Sequence, residues 1–137
     1  MRTIKFRGKR VNGGEWVESM TISYGTIKRK AYEMFFEISP NKWVGVIPET
    51  VGQFTGLLDK NGKEIYEGDI VSVYDFSSAY SSPYTGKVIM RGGQWCVEYY
   101  KEYRICRPLF FDDFANRKTE VIGNIYDNPE LLKGGEK

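Results

Sequence analysis

Short runs in which apolar and polar side chains alternate one by one, each cut off within a few residues by Gly, Asn-Gly or Pro, restrict this chain to a fold of many short strands. Ile4 and Phe6 fall on one side of the first run, and Lys5, Arg7 and Lys9 fall on the other. That period of two is the mark of a half-buried strand. Asn12-Gly13-Gly14 then supplies residues that tolerate positive φ, a hairpin signal. Trp16, Met20 and Ile22 continue on alternate positions and predict one second strand, closed by Tyr24-Gly25. In the third run Tyr32, Met34, Phe36 and Ile38 share a face, with Glu33 and Glu37 opposite, before Ser39-Pro40-Asn41 ends it. Trp43 to Ile47 gives a fourth strand, stopped at Pro48 because proline has no ladder donor.

The stretch from Pro48 to Leu58 carries proline, Gly52 and Gly56, which argue against a long helix. It predicts at most a single helical turn near Pro48, since proline is tolerated at a helix start. Asp59-Lys60-Asn61-Gly62-Lys63 follows, and Asn61-Gly62 at its tip predicts a type I′ hairpin turn. Gly68-Asp69 predicts a turn in which the Asp side chain bonds the backbone, ahead of a β-branched strand from Ile70 to Tyr74. Asp75 to Thr85 reads as a longish loop. Lys87 to Met90 and Trp95 to Tyr100 form a hairpin, Arg104 to Phe111 adds a strand that Pro108 marks as an edge or a bend, and Glu120 to Ile125 is the last. Asp112-Asp113-Phe114 reads as a helical turn, and Asn128-Pro129-Glu130 as a capped one-turn helix start.

The fold class expected is therefore mainly β, with antiparallel sheets, a small SH3-like or OB-like barrel in the C-terminal half, and few short helical turns. Residues 1–53 form an N-terminal β-sheet subdomain and 54–132 a small barrel-like one, tightly joined, with 133–137 a loose tail. At 137 residues the chain can bury roughly two thirds of its unfolded surface, so its core needs no disulfide or metal. Aromatic residues make up 15%, which favours pleated surfaces over helices.

Histidine is absent, which removes the usual general base near neutral pH and the commonest metal ligand. Ser-His and Cys-His nucleophile pairs and zinc-hydrolase sites are excluded with it. Cys96 and Cys106 match no zinc spacing and read as two reduced core thiols. The sequence begins without an apolar leader and holds no run of about 18 apolar residues, so a soluble, cytoplasmic protein is expected. No cofactor is expected.

Several blocks are similar to one known family. Ile4-Lys5-Phe6-Arg7-Gly8-Lys9, Glu15-Trp16-Val17 and Thr50-Val51-Gly52-Gln53-Phe54-Thr55-Gly56-Leu57 resemble the YopX family. So do the run from Asp59 to Val71 and the run from Val121 to Leu131. The resemblance covers nearly the whole chain in the family's order, and its central block is the specific part. It implies a β-rich fold of branched sheets and a barrel, self-association, and a place among phage and prophage accessory genes in a bacterial host. It implies no biochemical activity. Two places depart from the pattern: Glu18-Ser19 stands where members often carry an aromatic-Gly step, and residues 76–85 match nothing.

Candidate sites follow from charge and aromatic content. Lys5, Arg7 and Lys9 share one strand face and, with Arg10 and Lys28-Arg29-Lys30, could follow a phosphate backbone. Arg104 and Arg107, among Tyr99, Tyr100 and Tyr103, mix cations with rings as single-strand stacking surfaces do. The plainer reading is a solvated face whose Arg stems cover apolar surface, and a net charge of only +2 favours it. Tyr80, Tyr84, Tyr99, Tyr100 and Tyr103 are candidates for a protein interface, where rigid rings bury area at low entropic cost. A calcium loop from Asp59 fails because its twelfth position is Ile70. The acids Glu64, Glu67, Asp69, Asp112, Asp113 and Glu120 show no grouping that would hold magnesium. The function expected is a non-enzymatic, self-associating phage or prophage accessory protein that binds a host or phage protein. The alternative is weak nucleic-acid binding through the N-terminal basic face.

Overall fold

Twelve strands and almost no helix account for the residues that the computed structural model describes, namely 3–26, 32–75, 83–99, 106–109 and 117–133. The strands are β1 (Phe6–Lys9), β2 (Trp16–Ser19), β3 (Ile22–Thr26), β4 (Tyr32–Ser39), β5 (Lys42–Val46), β6 (Gly52–Leu58), β7 (Glu64–Tyr66), β8 (Asp69–Asp75), β9 (Tyr84–Arg91), β10 (Gln94–Glu98), β11 (Cys106–Pro108) and β12 (Arg117–Asn124). A 3₁₀ turn at Pro48–Thr50 and one short helix, α1 (Glu130–Lys133), complete the described elements. The chain divides into two units, Met1–Phe54 and Thr55–Lys137, and the boundary falls inside β6.

Within the first unit β1 lies between β2 and β6, antiparallel to both, and β4 lies between β3 and β5. Phe36, Val44 and Val46 form the buried centre, with Phe6, Val17, Ile22, Met34, Ile38 and Val51 packed around them. Gly8 allows this close approach. A side chain there would begin 3.2 Å from the Val51 methyl and 3.3 Å from Val46. Because side chains alternate across a strand, turning Phe6 and Gly8 toward this core turns Arg7 and Lys9 away from it.

One expectation changes here, and one strand is added beyond those read from the sequence, after a single helical turn at Pro48–Thr50 that matches the expected one. The predicted second strand is two strands, β2 and β3, which pair with different partners. Ser19, buried at the corner, accepts the Thr21 N–H at 2.9 Å and donates its hydroxyl to the Glu37 carbonyl at 2.7 Å. The backbone bends there, and Met20 stands 71% exposed instead of joining the core. The glycine-bearing stretch after the 3₁₀ turn is the seven-residue β6, because ladder pairing with β1 outweighs the weak strand preference of Gly52 and Gly56.

In the second unit the sheet order is β11-β10-β9-β8-β12, every described pairing antiparallel, while β7 neighbours β6. Ile65, Val71, Val73, Val88 and Val97 are its buried centre. The mainly β, antiparallel reading with few helical turns holds; closure does not. The five-stranded sheet has two ends, β11 and β12, so no closed barrel is present among the described residues. β11 spans three residues and ends in Pro108, which lacks an N–H, so it offers little ladder for a closing strand.

The 59–63 hairpin is also built differently from the type I′ form. Among the described non-glycine residues only Asn41 has positive φ, so Asn61 does not, whereas Gly62 has φ 80°. The Gly62 N–H bonds the Asp59 carbonyl at 3.0 Å, and the Asp59 N–H bonds the Lys63 carbonyl at 2.7 Å. This is a three-residue loop with glycine at its left-handed position. Asp59 Oδ1 accepts the N–H of Asn61 at 2.8 Å and of Lys63 at 2.9 Å, and Oδ2 accepts that of Val121 at 2.9 Å. Val121 lies at the register shift in β12, so one carboxylate both shapes the loop and fastens it to that strand.

Asp69, buried after Gly68, accepts the Tyr66 N–H at 2.7 Å. At the C-terminal end Asn124 Oδ1 accepts the N–H of Tyr126 and Asp127, and α1 follows. Asn128 does not cap α1 with its side chain, which instead receives the Asn124 N–H at 3.3 Å. The loop read from Asp75 to Thr85 is shorter in its described part, with β8 reaching Asp75 and β9 starting at Tyr84. The turn read at Asp112-Asp113-Phe114 lies outside the described residues. Of the tail, Lys133 belongs to α1 and 134–137 lie outside them.

Candidate functional site

β1 carries the cationic face. Opposite Arg7 stand Glu18 on β2 and Gly52 on β6, and opposite Lys9 stands Trp16. The Arg7 guanidinium lies 4.7 Å from the Trp16 ring centre, Lys9 Nζ 5.5 Å from the same ring, and Lys5 Nζ 5.4 Å from that of Phe54. Lys5 pairs with Glu18 at 3.5 Å and Arg10 with Glu15 at 2.8 Å. The structure thus brings Lys5, Arg7 and Lys9 together, and also shows their charge spent on neighbouring rings and acids. A cation stacked on a ring keeps its charge, and a neighbouring carboxylate lowers the local field that a phosphate would meet.

Tyr84 and Tyr99 meet with ring centres 4.2 Å apart, tilted by 35°. Gly86 makes this possible, because a Cβ there would fall 2.7 Å from that of Tyr99 and 2.5 Å from the Glu98 carbonyl. Arg107, opposite Val97, lies 5.9 and 5.8 Å from the two ring centres and donates Nε–H to the Tyr99 hydroxyl at 3.1 Å. Both tyrosines are half-buried and packed against the core of this unit. Their faces serve the fold as well as any partner. Lys28, Arg29, Lys30, Arg104, Tyr80, Tyr100 and Tyr103 lie outside the described residues.

The other face of the same sheet carries Glu98, with Lys87 at 3.7 Å and Arg91 at 3.5 Å. Arg91 also donates to the Cys106 thiol at 3.0 Å. Burial pushes that thiol above its ordinary value of 9.0, although Arg91 pulls it the other way. A cysteine held protonated is a poor nucleophile. Both cysteines are free. Among the described residues no three Cys, Asp or Glu side chains gather where they could hold a metal ion.

The largest exposed apolar groups are elsewhere. In the first unit Met20 is 71%, Tyr24 66%, Val11 61%, Ile4 55% and Trp43 42% exposed. The sequence reasoning placed none of these in an interface. For Trp43 a signal existed, since it sits opposite Glu37 on the face away from the core. For Met20 and Tyr24 none did, because the corner at Ser19 decides their exposure.

A family model described as YopX protein matches residues 5–133. No curated protein matches the chain. Among solved structures, the crystal structure of protein EF1440 from Enterococcus faecalis is similar, with 26% sequence identity and a TM-score of 0.57, covering 96% of this chain and 99% of that one. Sequence blocks and a family-model match over nearly the entire length lead to one conclusion: the chain belongs to the YopX family.

Proposed function

We propose that this chain is a non-catalytic phage or prophage accessory protein, working in the cytoplasm of a bacterial host, that binds proteins including further copies of itself. The observation that carries the reading is the display of Ile4, Val11, Met20, Tyr24 and Trp43 on a unit of 54 residues. Five large apolar side chains left exposed on one small unit offer area for burial against another protein. Membership of the YopX family supports the phage or prophage origin. The histidine-free sequence and the raised Cys106 thiol support a role without catalysis. No helix among the described residues is long and apolar enough to cross a membrane. Light scattering on the purified chain tests the reading: a mass above the monomer is expected, and a monomer at every concentration overturns its self-association.

A second reading rests on the line of Lys5, Arg7 and Lys9 along one strand face. It predicts weak, salt-sensitive binding of labelled DNA or RNA by fluorescence anisotropy. Binding that is absent at low salt, or that does not weaken as salt rises, removes it.

A further inference from the structure

The described strand edges are guarded in different ways, with one exception. β12 is covered where the Lys60 N–H bonds the Thr119 carbonyl at 2.8 Å and the Val121 N–H bonds Asp59. β5 is flanked by the chain leaving β1, with the Val11 N–H on the Gly45 carbonyl at 3.0 Å and the Ile47 N–H on the Lys9 carbonyl at 2.8 Å. β11 and β7 are three residues long, the former ending in Pro108 and the latter starting with Glu64. β2 is short and carries Glu18. Charge, proline, brevity and cover are the usual means of stopping an edge from pairing.

β3, five residues long, has no charge, proline or cover among the described residues. Its sequence, Ile22-Ser23-Tyr24-Gly25-Thr26, holds no charge and no proline, and its register with β4 runs unbroken over five pairs. The Glu37 N–H bonds the carbonyl of Thr21 directly opposite it, which puts Thr21 at a bonding position of the ladder, with Ser19 taking the place of the return bond. Such pairs alternate along an antiparallel ladder, so Ser23 and Gly25 bond β4 while the N–H and C=O of Ile22 and Tyr24 point away from it. Tyr24 is also among the most exposed large side chains.

We propose that β3 pairs antiparallel with β3 of a second copy about a two-fold axis, so that two three-stranded sheets join into one of six strands. This rests on the self-association proposed above and names its surface. A second copy fits because the strand is complementary to itself. With Ser23 on the axis, Ile22 faces Tyr24 twice, an aromatic and β-branched pairing, and the backbone groups of both residues find partners. No like charges meet anywhere along the strand.

Light scattering on the full chain and two variants tests the proposal, with far-UV circular dichroism as the folding control. Tyr24→Lys brings two ammonium groups together near the axis, and Tyr24→Pro removes, along with the ring, a backbone donor that points away from β4 and fixes φ at that residue. Both are expected to weaken association roughly tenfold or more while strand content stays that of the wild type. Should Tyr24→Pro lose its fold, Tyr24→Lys alone decides. Wild-type mass in a folded Tyr24→Lys protein overturns the β3 pairing and leaves self-association through another surface. A wild type that is monomeric throughout overturns both.

Discussion

Replacing Asp59 tests whether one side chain organises the second unit. Its carboxylate accepts three backbone N–H groups, from Asn61, Lys63 and Val121. Bonds to a charged acceptor contribute roughly 1.5–3 kcal/mol each, but a donor that reaches water after the change loses much less. Asn61 and Lys63 are exposed, so water replaces the carboxylate there at about 0.5 kcal/mol each. The Val121 N–H is partly buried 62 positions away and bears most of the penalty. Asp59→Ala should therefore cost about 3–4 kcal/mol. Asp59→Asn keeps the Oδ1 acceptor but turns an N–H₂ group toward Val121, and should cost about 2 kcal/mol. Asn61→Ala leaves its backbone N–H in place and should fall within about 0.5 kcal/mol of the wild type. Urea unfolding followed by far-UV circular dichroism gives all three values. A cost below about 1 kcal/mol for Asp59→Ala, or an Asn61→Ala cost as large, would refute the reasoning.

Further outcomes concern the same unit and the cationic strand. Gly86→Ala places a methyl 2.5 Å from the Glu98 carbonyl and 2.7 Å from the Tyr99 Cβ, so a loss of about 1–3 kcal/mol is expected in urea unfolding, with a change in tyrosine near-ultraviolet dichroism as the Tyr84–Tyr99 contact shifts. Cys106 keeps its proton in the folded state to higher pH than in the unfolded state. Its contribution to stability is thus complete below the ordinary thiol value of 9.0 and is lost as pH rises through the higher folded value, so wild-type stability should fall more steeply above pH 9.0 than that of Cys106→Ala. Trp16→Leu removes the ring beneath Arg7 and Lys9 and should cost about 1–2 kcal/mol in urea, beyond what the smaller apolar group restores.

Alternation along the chain located most strands, because period-two patterning depends only on neighbouring residues. Lys5, Arg7 and Lys9 were readable as one face for the same reason. What escaped depends on residues distant in sequence. Ser19 turns β2 into β3 by bonding Glu37, and nothing local to the Trp16–Tyr24 run announces that partner. Asp59 sets the hairpin by reaching Val121, so the Asn61-Gly62 pair alone suggested the wrong turn. Tyr84 and Tyr99 looked like surface rings, yet Gly86 lets one rest beside the other against the core. Exposure of Met20 and Tyr24 was hidden by the same corner that divides the strand.

Sedimentation equilibrium of the purified chain at about 50 mM and about 500 mM salt, where screening differs strongly, examines the main claim most directly. Burial of uncharged surface between copies predicts at least twice the monomer mass in both solutions. A monomer in both, or an assembly that dissolves at the higher salt, would contradict it.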